Sequence, residues 1–190
     1  MSSSSLIRWG AVGALLAGFA WIVSGYFFYV WPGEGEALDG SLAWYLMESA
    51  DGIAELGMLA ALLSLHVQQR SYYGRLGMAG FTIAFVGTTF VLLSTLIWML
   101  VGGADNFFVG LFFTLGLFVG WPIGFTLLGI ATFRAKVFPR WCGVLLIAFF
   151  PILFVIFSVY DTAVIWNGVV WLALCYALWP QGGRLQAFAQ

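Results

Sequence analysis

Long apolar runs separated by short polar breaks divide the chain into six segments, at about residues 9–31, 44–67, 76–101, 107–133, 141–160 and 163–180. Each is close to the roughly 20 residues a helix needs to cross a bilayer. Apolar residues run continuously instead of alternating, which predicts helices and argues against a transmembrane β-barrel. The breaks carry turn and charge signals: "PGEGEALDG", "QQRSYYGR", "GGADN", "RAKVFPR" and "YDT". The expected fold is an all-α membrane protein, a single transmembrane domain over residues 1–190 built as a bundle of six helices.

Composition sharpens this. The chain is 63% hydrophobic and 8% charged, whereas a soluble domain carries about a quarter charged residues. The net charge of -1 gives no basic surface for nucleic acid. All the basic residues, Arg8, Arg70, Arg75, Arg134, Lys136, Arg140 and Arg184, fall at the N-terminus, in the second and fourth breaks, or near the C-terminus. In a six-span chain those places share one side. The other side carries Glu34, Glu36, Asp39, Asp105 and Asp161 and no Lys or Arg. The positive-inside rule then puts both termini of a multi-pass membrane protein in the cytoplasm.

Aromatic residues mark the same boundaries, with Trp31, Trp44, Tyr45, Trp98 and Trp166 near the outer ends and Trp9, Tyr72, Tyr73, Trp141 and Trp179 near the inner ones. The first apolar run continues into "YFFYVW" without a small-residue cleavage site, so it reads as a retained helix and not a signal peptide.

Two features speak to packing. "GLFVGWPIG" puts Gly116, Gly120 and Gly124 on one face of the fourth helix, which lets another backbone approach, from within the bundle or from a second copy in a homo-oligomer. Pro122 and Pro151 each remove a helical hydrogen bond and are expected to kink their helices.

The chemistry concentrates in "YLMESADGIAELGMLAALLSLH", residues 45–66. Glu48, Asp51 and Glu55 follow an i, i+3, i+7 spacing, which puts three carboxylates on one helical face. Leu59, Leu62 and His66 continue that stripe. Counting from the Trp44–Tyr45 boundary, Glu55 lies roughly 15 Å deep, near the bilayer midplane. An ionised carboxylate there is costly, so it either keeps its proton or meets water or a cation. Glu55 is accordingly the candidate base of an outward-facing acidic pocket, with Glu48, Asp51, Asp161 and Asn167 as its wall. The plainer reading puts Glu48 and Asp51 among solvated headgroups and gives Glu55 a structural hydrogen bond to Ser24, Thr88 or Ser94. His66 is expected at the cytoplasmic interface.

Several chemistries are excluded. One histidine cannot build a bis-histidine haem site or a histidine-rich zinc site, and the single lysine, Lys136, lies in a break. HExxH, GxSxG and P-loop patterns are absent. No catalytic residue, cofactor or metal site is expected. Cys142 and Cys175, both near the cytoplasmic side, are expected as free buried thiols.

The stretches "SLHVQQRSYYGRLGMAGFTIAFVGT", "GIATFRAKVFPRWCGVLL" and "WNGVVWLALCYALW" resemble those of small bacterial six-helix integral membrane proteins of uncharacterised function, frequent in actinobacteria and their neighbours. That resemblance implies a bacterial plasma (inner) membrane setting and no activity. The expected function is non-catalytic: binding or conducting a proton, small cation or cationic solute through the acidic pocket. The alternatives are an accessory subunit of a larger membrane complex and, third, an intramembrane lipid or isoprenoid enzyme with Glu55 or Asp51 as acid and Trp21, Trp121 or Trp171 lining its pocket.

Overall fold

The computed structural model describes residues 3–29, 41–101, 106–159 and 163–179. These form six helices: α1 (Ser3–Tyr29), α2 (Leu42–Gln69), α3 (Gly74–Val101), α4 (Phe107–Ala135), α5 (Arg140–Val159) and α6 (Ala163–Leu178). No strand occurs among the described residues. Four stretches, Ser5–Phe28, Leu42–Gln69, Gly74–Val101 and Phe107–Ala135, are long and apolar enough to cross a membrane, and α5 and α6 hold shorter apolar stretches. Large apolar side chains such as Phe19, Leu56, Leu96, Phe118 and Val155 are exposed around the bundle. A helix that is apolar on all sides suits a lipid surround and would be a liability in water.

Local chemistry sets the helix ends. The Ser41 hydroxyl accepts the Trp44 N–H at 3.1 Å to cap α2, and Asn106 Oδ1 accepts the Phe108 N–H at 3.0 Å to cap α4. Such caps satisfy N–H groups that have no partner within the helix. Gly74 opens α3 with a positive φ of 61°, and Lys136 closes α4 in the left-handed region at 53°. The first helix begins at Ser3, well before the apolar run near residue 9, because the serines make a polar first turn that an apolar pattern does not register.

Each helix packs on the next in sequence, and α6 returns to α1 to close a ring. Small residues make the closest joins. A Cβ on Gly13 would lie 2.8 Å from the Gly57 carbonyl oxygen across the α1–α2 seam, and one on Gly168 would lie 2.6 Å from the Gly18 carbonyl across α1–α6. Gly129 and Gly143 join α4 to α5 in the same way. The glycines of α4 face α3: a Cβ on Gly116 would sit 2.6 Å from the Gly87 carbonyl, Gly120 also meets Gly87, and Gly124 meets Ala84. This stripe is thus taken up inside the chain.

Pro122 has a more specific consequence than a bend. The turn before it, Leu115–Gly120, widens to a π-helix in which the Trp121 N–H reaches back to the Gly116 carbonyl. A proline ring would press on the carbonyl four residues earlier, and the wider turn moves that carbonyl away. Helix α5 runs on through Pro151.

Candidate functional site

The ring encloses a cavity of about 250 Å³, all of whose lining residues belong to one end of the bundle. They come from the C-terminal halves of α1, α3 and α5 and the N-terminal halves of α2, α4 and α6. Among the described residues the basic ones, Arg8, Arg70, Arg75, Arg134, Lys136 and Arg140, lie at or near the opposite helix ends; Arg184 lies outside the described residues. Helix α2 supplies Met47, Glu48, Asp51 and Glu55, and α3 supplies Val91, Ser94, Thr95 and Trp98. Trp21, Ser24 and Phe28 come from α1, and Phe113, Leu117 and Trp121 from α4. Leu153 of α5 and Val164 and Asn167 of α6 complete the wall. Among the described residues, no Lys, Arg or His side chain lines it.

The carboxylates converge because their spacing keeps them on the inward face of α2. Glu55 is 1% exposed and Glu48 3%, so Glu48 is enclosed by protein and is not a solvated headgroup residue. Asp51 is half-buried, with its Oδ1 out of contact with solvent and the Ser24 side chain beside it. The Thr95 hydroxyl donates to Glu55 Oε1 at 3.3 Å, while Glu55 Oε2 has no partner. Asp51 and Glu48 lie near enough for their charges to act on Glu55.

Among the structural partners the sequence suggests for Glu55, none is the one found. Thr88 returns its hydroxyl to the Ala84 carbonyl, Ser94 caps the Val109 carbonyl at 3.0 Å across the α3–α4 seam, and Ser24 stands beside Asp51. Thr95, one residue past Ser94, faces α2 because a single step turns a helical side chain by about 100°. Asn167 is buried and lines the cavity. Asp161 lies outside the described residues. Thr95 and Trp98 escaped the sequence reading. Their signal was Val91, Ser94, Thr95 and Trp98 at i, i+3, i+4 and i+7, one face carrying two hydroxyls in the half of α3 that also holds the cavity.

Below Glu55 the bundle is solid. Trp21 and Trp121 meet edge-to-face with centroids 6.3 Å apart, and Trp121 continues into Phe149 at 5.6 Å and Phe125 at 6.1 Å. Trp171 lies beneath, against Phe125 and Phe149, and does not line the cavity. The Trp21 indole N–H points to the Met58 sulfur at 3.4 Å. Edge-to-face contacts match the positive rim of one ring to the negative face of the next, which fixes this floor.

His66 takes no part. It is half-buried near the other end of α2, stacked on Phe81 with centroids 4.1 Å apart and hydrogen-bonded through Nδ1 to the Tyr73 hydroxyl. Burial pushes Tyr73, in the connection between α2 and α3, up to about 12. Cys142 and Cys175 are free and buried. Among the described residues no three His, Cys, Asp or Glu side chains are placed to hold a metal ion.

Compared with known protein families, with curated proteins and with solved structures, the chain matches none. This agrees with a resemblance that reaches only uncharacterised membrane proteins.

Proposed function

We propose that this chain is a six-span plasma-membrane protein with both ends cytoplasmic, which binds a positively charged solute in an acidic cavity facing away from the cytoplasm. One observation carries the reading. Glu55 is buried, one of its oxygens has no partner, and the cavity it faces is lined by two further carboxylates and, among the described residues, by no basic side chain. A charge in that setting is expensive unless a counter-charge arrives from outside the chain. An intramembrane acid turned into a cavity is the usual mark of a cation or proton site.

The aromatic floor supports binding over open conduction. Between the cavity and the basic end, the axis of the bundle is filled by Trp121, Phe125, Phe149 and Trp171. Passage through the bundle would require these rings to part. The glycine stripe that would have favoured an accessory subunit or homo-oligomer faces α3, so that alternative loses its main support.

Thermal unfolding of the purified chain in neutral detergent tests the proposal, from pH 4 to 9 and with added inorganic or organic cations. Wild type is expected to be stabilised by a cation or a proton and Glu55→Gln to lose that response. Equal, flat responses in both proteins would sink the reading. Orientation is tested separately by membrane-impermeant thiol labelling in intact cells. Asp105→Cys is expected to react and Arg184→Cys to be protected; the reverse pattern would invert the topology.

A further inference from the structure

Resting on that reading, we propose that the occupant of the cavity is an organic ammonium with an apolar body, and not an inorganic ion. Three observations narrow the class. The first is room: about 250 Å³ is far more than a bare ion fills, and at about 30 Å³ per water it corresponds to a small organic molecule. The second is the donor set. Alkaline-earth ions take six or more oxygen ligands from several directions, whereas here the carboxylates share one face of α2 and no metal-holding group of side chains exists among the described residues.

The third is the aromatic share of the wall. Trp98 of α3, Trp121 of α4 and Trp21 of α1 line the same cavity as the acids. Indole faces attract a diffuse positive charge while tolerating the carbon around it. Carboxylates and aromatic rings around one cavity form the combination that recognises alkylated ammonium ions. Four buried groups on residues that line the cavity still lack partners: Asp51 Oδ1, Glu55 Oε2 and the indole N–H groups of Trp98 and Trp121. The two carboxylate oxygens suit the ammonium. The indole N–H groups are left for a water or for an acceptor atom elsewhere on the same guest.

An ammonium of this kind reaches the cavity either as a soluble amine or as a lipid headgroup. The chemistry is shared, and the experiment separates the two sources. Benzyltrimethylammonium is titrated against the full chain in dodecyl maltoside, which has no ammonium of its own, with tryptophan fluorescence as readout. Its uncharged carbon isostere, neopentylbenzene, controls for hydrophobic partition, and sodium, potassium and magnesium chlorides for simple charge.

The expected result is saturable binding of the ammonium at least tenfold tighter than the isostere. Glu55→Gln should weaken it tenfold or more, and Trp98→Leu, which keeps apolar bulk but removes the ring, should weaken it severalfold. Wild-type unfolding profiles for both variants guard against misfolding as the cause. Displacement by phosphatidylethanolamine but not by phosphatidylglycerol would assign the ammonium to a lipid headgroup, and no displacement by either would assign it to a soluble amine. Equal binding of ammonium and isostere, or binding indifferent to both substitutions, overturns the proposal. A Glu55-dependent response to protons or inorganic cations without ammonium binding overturns it too, while leaving the broader cation-site reading standing. If Glu55→Gln matches wild type under every condition, both fall.

Discussion

The two ends of the bundle are built from the same apolar alphabet and pack in opposite ways. Toward the basic end, helices touch through glycine: Gly13 on Gly57, Gly129 on Gly143, Gly80 on the Leu127–Leu128 backbone. Large rings and leucines fill what remains, with Trp171, Leu62, Leu128 and Leu146 buried. Toward the cavity end, Gly18 and Gly168 still join α1 to α6, Gly25 meets Ile165 and Gly116 meets Gly87 and Val91, but the buried Gly52 of the acidic helix meets nothing nearer than the Thr95 methyl at 4.0 Å. Carboxylates and indoles stand where the small contacts would be. In lipid, association between helices rests on close packing and not on exclusion of water, so a bundle is held where backbones meet and is free to be hollow where they do not.

The largest effect that tests this contrast comes from the solid half. Trp171 is fully enclosed, with Phe125 and Phe149 at 6.1 and 6.3 Å. Trp171→Ala should cost about 3 kcal/mol, the low end for aromatic truncation, since in lipid the unfolded helix still shelters the side chain. Chemical unfolding in detergent measures it. A loss near zero would mean that the aromatic floor is loosely packed and the two ends are not distinct.

Gly57→Ala comes next. Its new methyl group would press on the Gly13 carbonyl and lie 2.9 Å from the Ala17 nitrogen. Both obstacles are backbone, so helices α1 and α2 must separate, at about 2 kcal/mol in the range found for overpacking. The unfolding midpoint should fall accordingly. An unchanged midpoint would show that the α1–α2 seam slides without cost, and the contrast between the two ends would lose its main structural basis.

How much of this contrast was legible in the sequence follows from the same physics. Helix positions were readable because apolar runs and their breaks are a one-dimensional signal. The i, i+3, i+7 spacing of Glu48, Asp51 and Glu55 was readable too, since it lies within one helix. What faces them was not. Thr95 and not Ser94 meets Glu55 because of how α3 is rotated, and that rotation is set by Gly87 lying against Gly120 of the next helix, α4. The π-turn at Leu115–Gly120 shifts every later residue of α4 by about a quarter turn relative to a regular helix, and with it the placement of Trp121. Proline announced a disturbance without saying that the helix would widen instead of simply bending.

At the boundary between the two ends, the Thr95 hydroxyl is the polar tie from α3 to Glu55. Thr95→Val keeps the shape and removes the donor, so the expected cost is about 1 kcal/mol, that of one hydrogen bond. Glu55→Gln keeps an acceptor for the same hydroxyl and should cost less than Thr95→Val. If the order is reversed, charge at position 55 matters to stability even without a guest, and the acids are part of the scaffold as well as the site.

The smallest effect has the opposite sign. Gly110 lies in α4 with open space where a Cβ would go. A glycine within a helix costs roughly 0.5–1 kcal/mol relative to alanine through its larger unfolded freedom. Gly110→Ala should therefore raise the unfolding midpoint slightly, where the chemically identical change at Gly57 lowers it. The two substitutions differ only in what surrounds them, so their signs compare an exposed helix position with a packed helix seam directly. Two losses would mean that Gly110 faces a neighbour outside the chain.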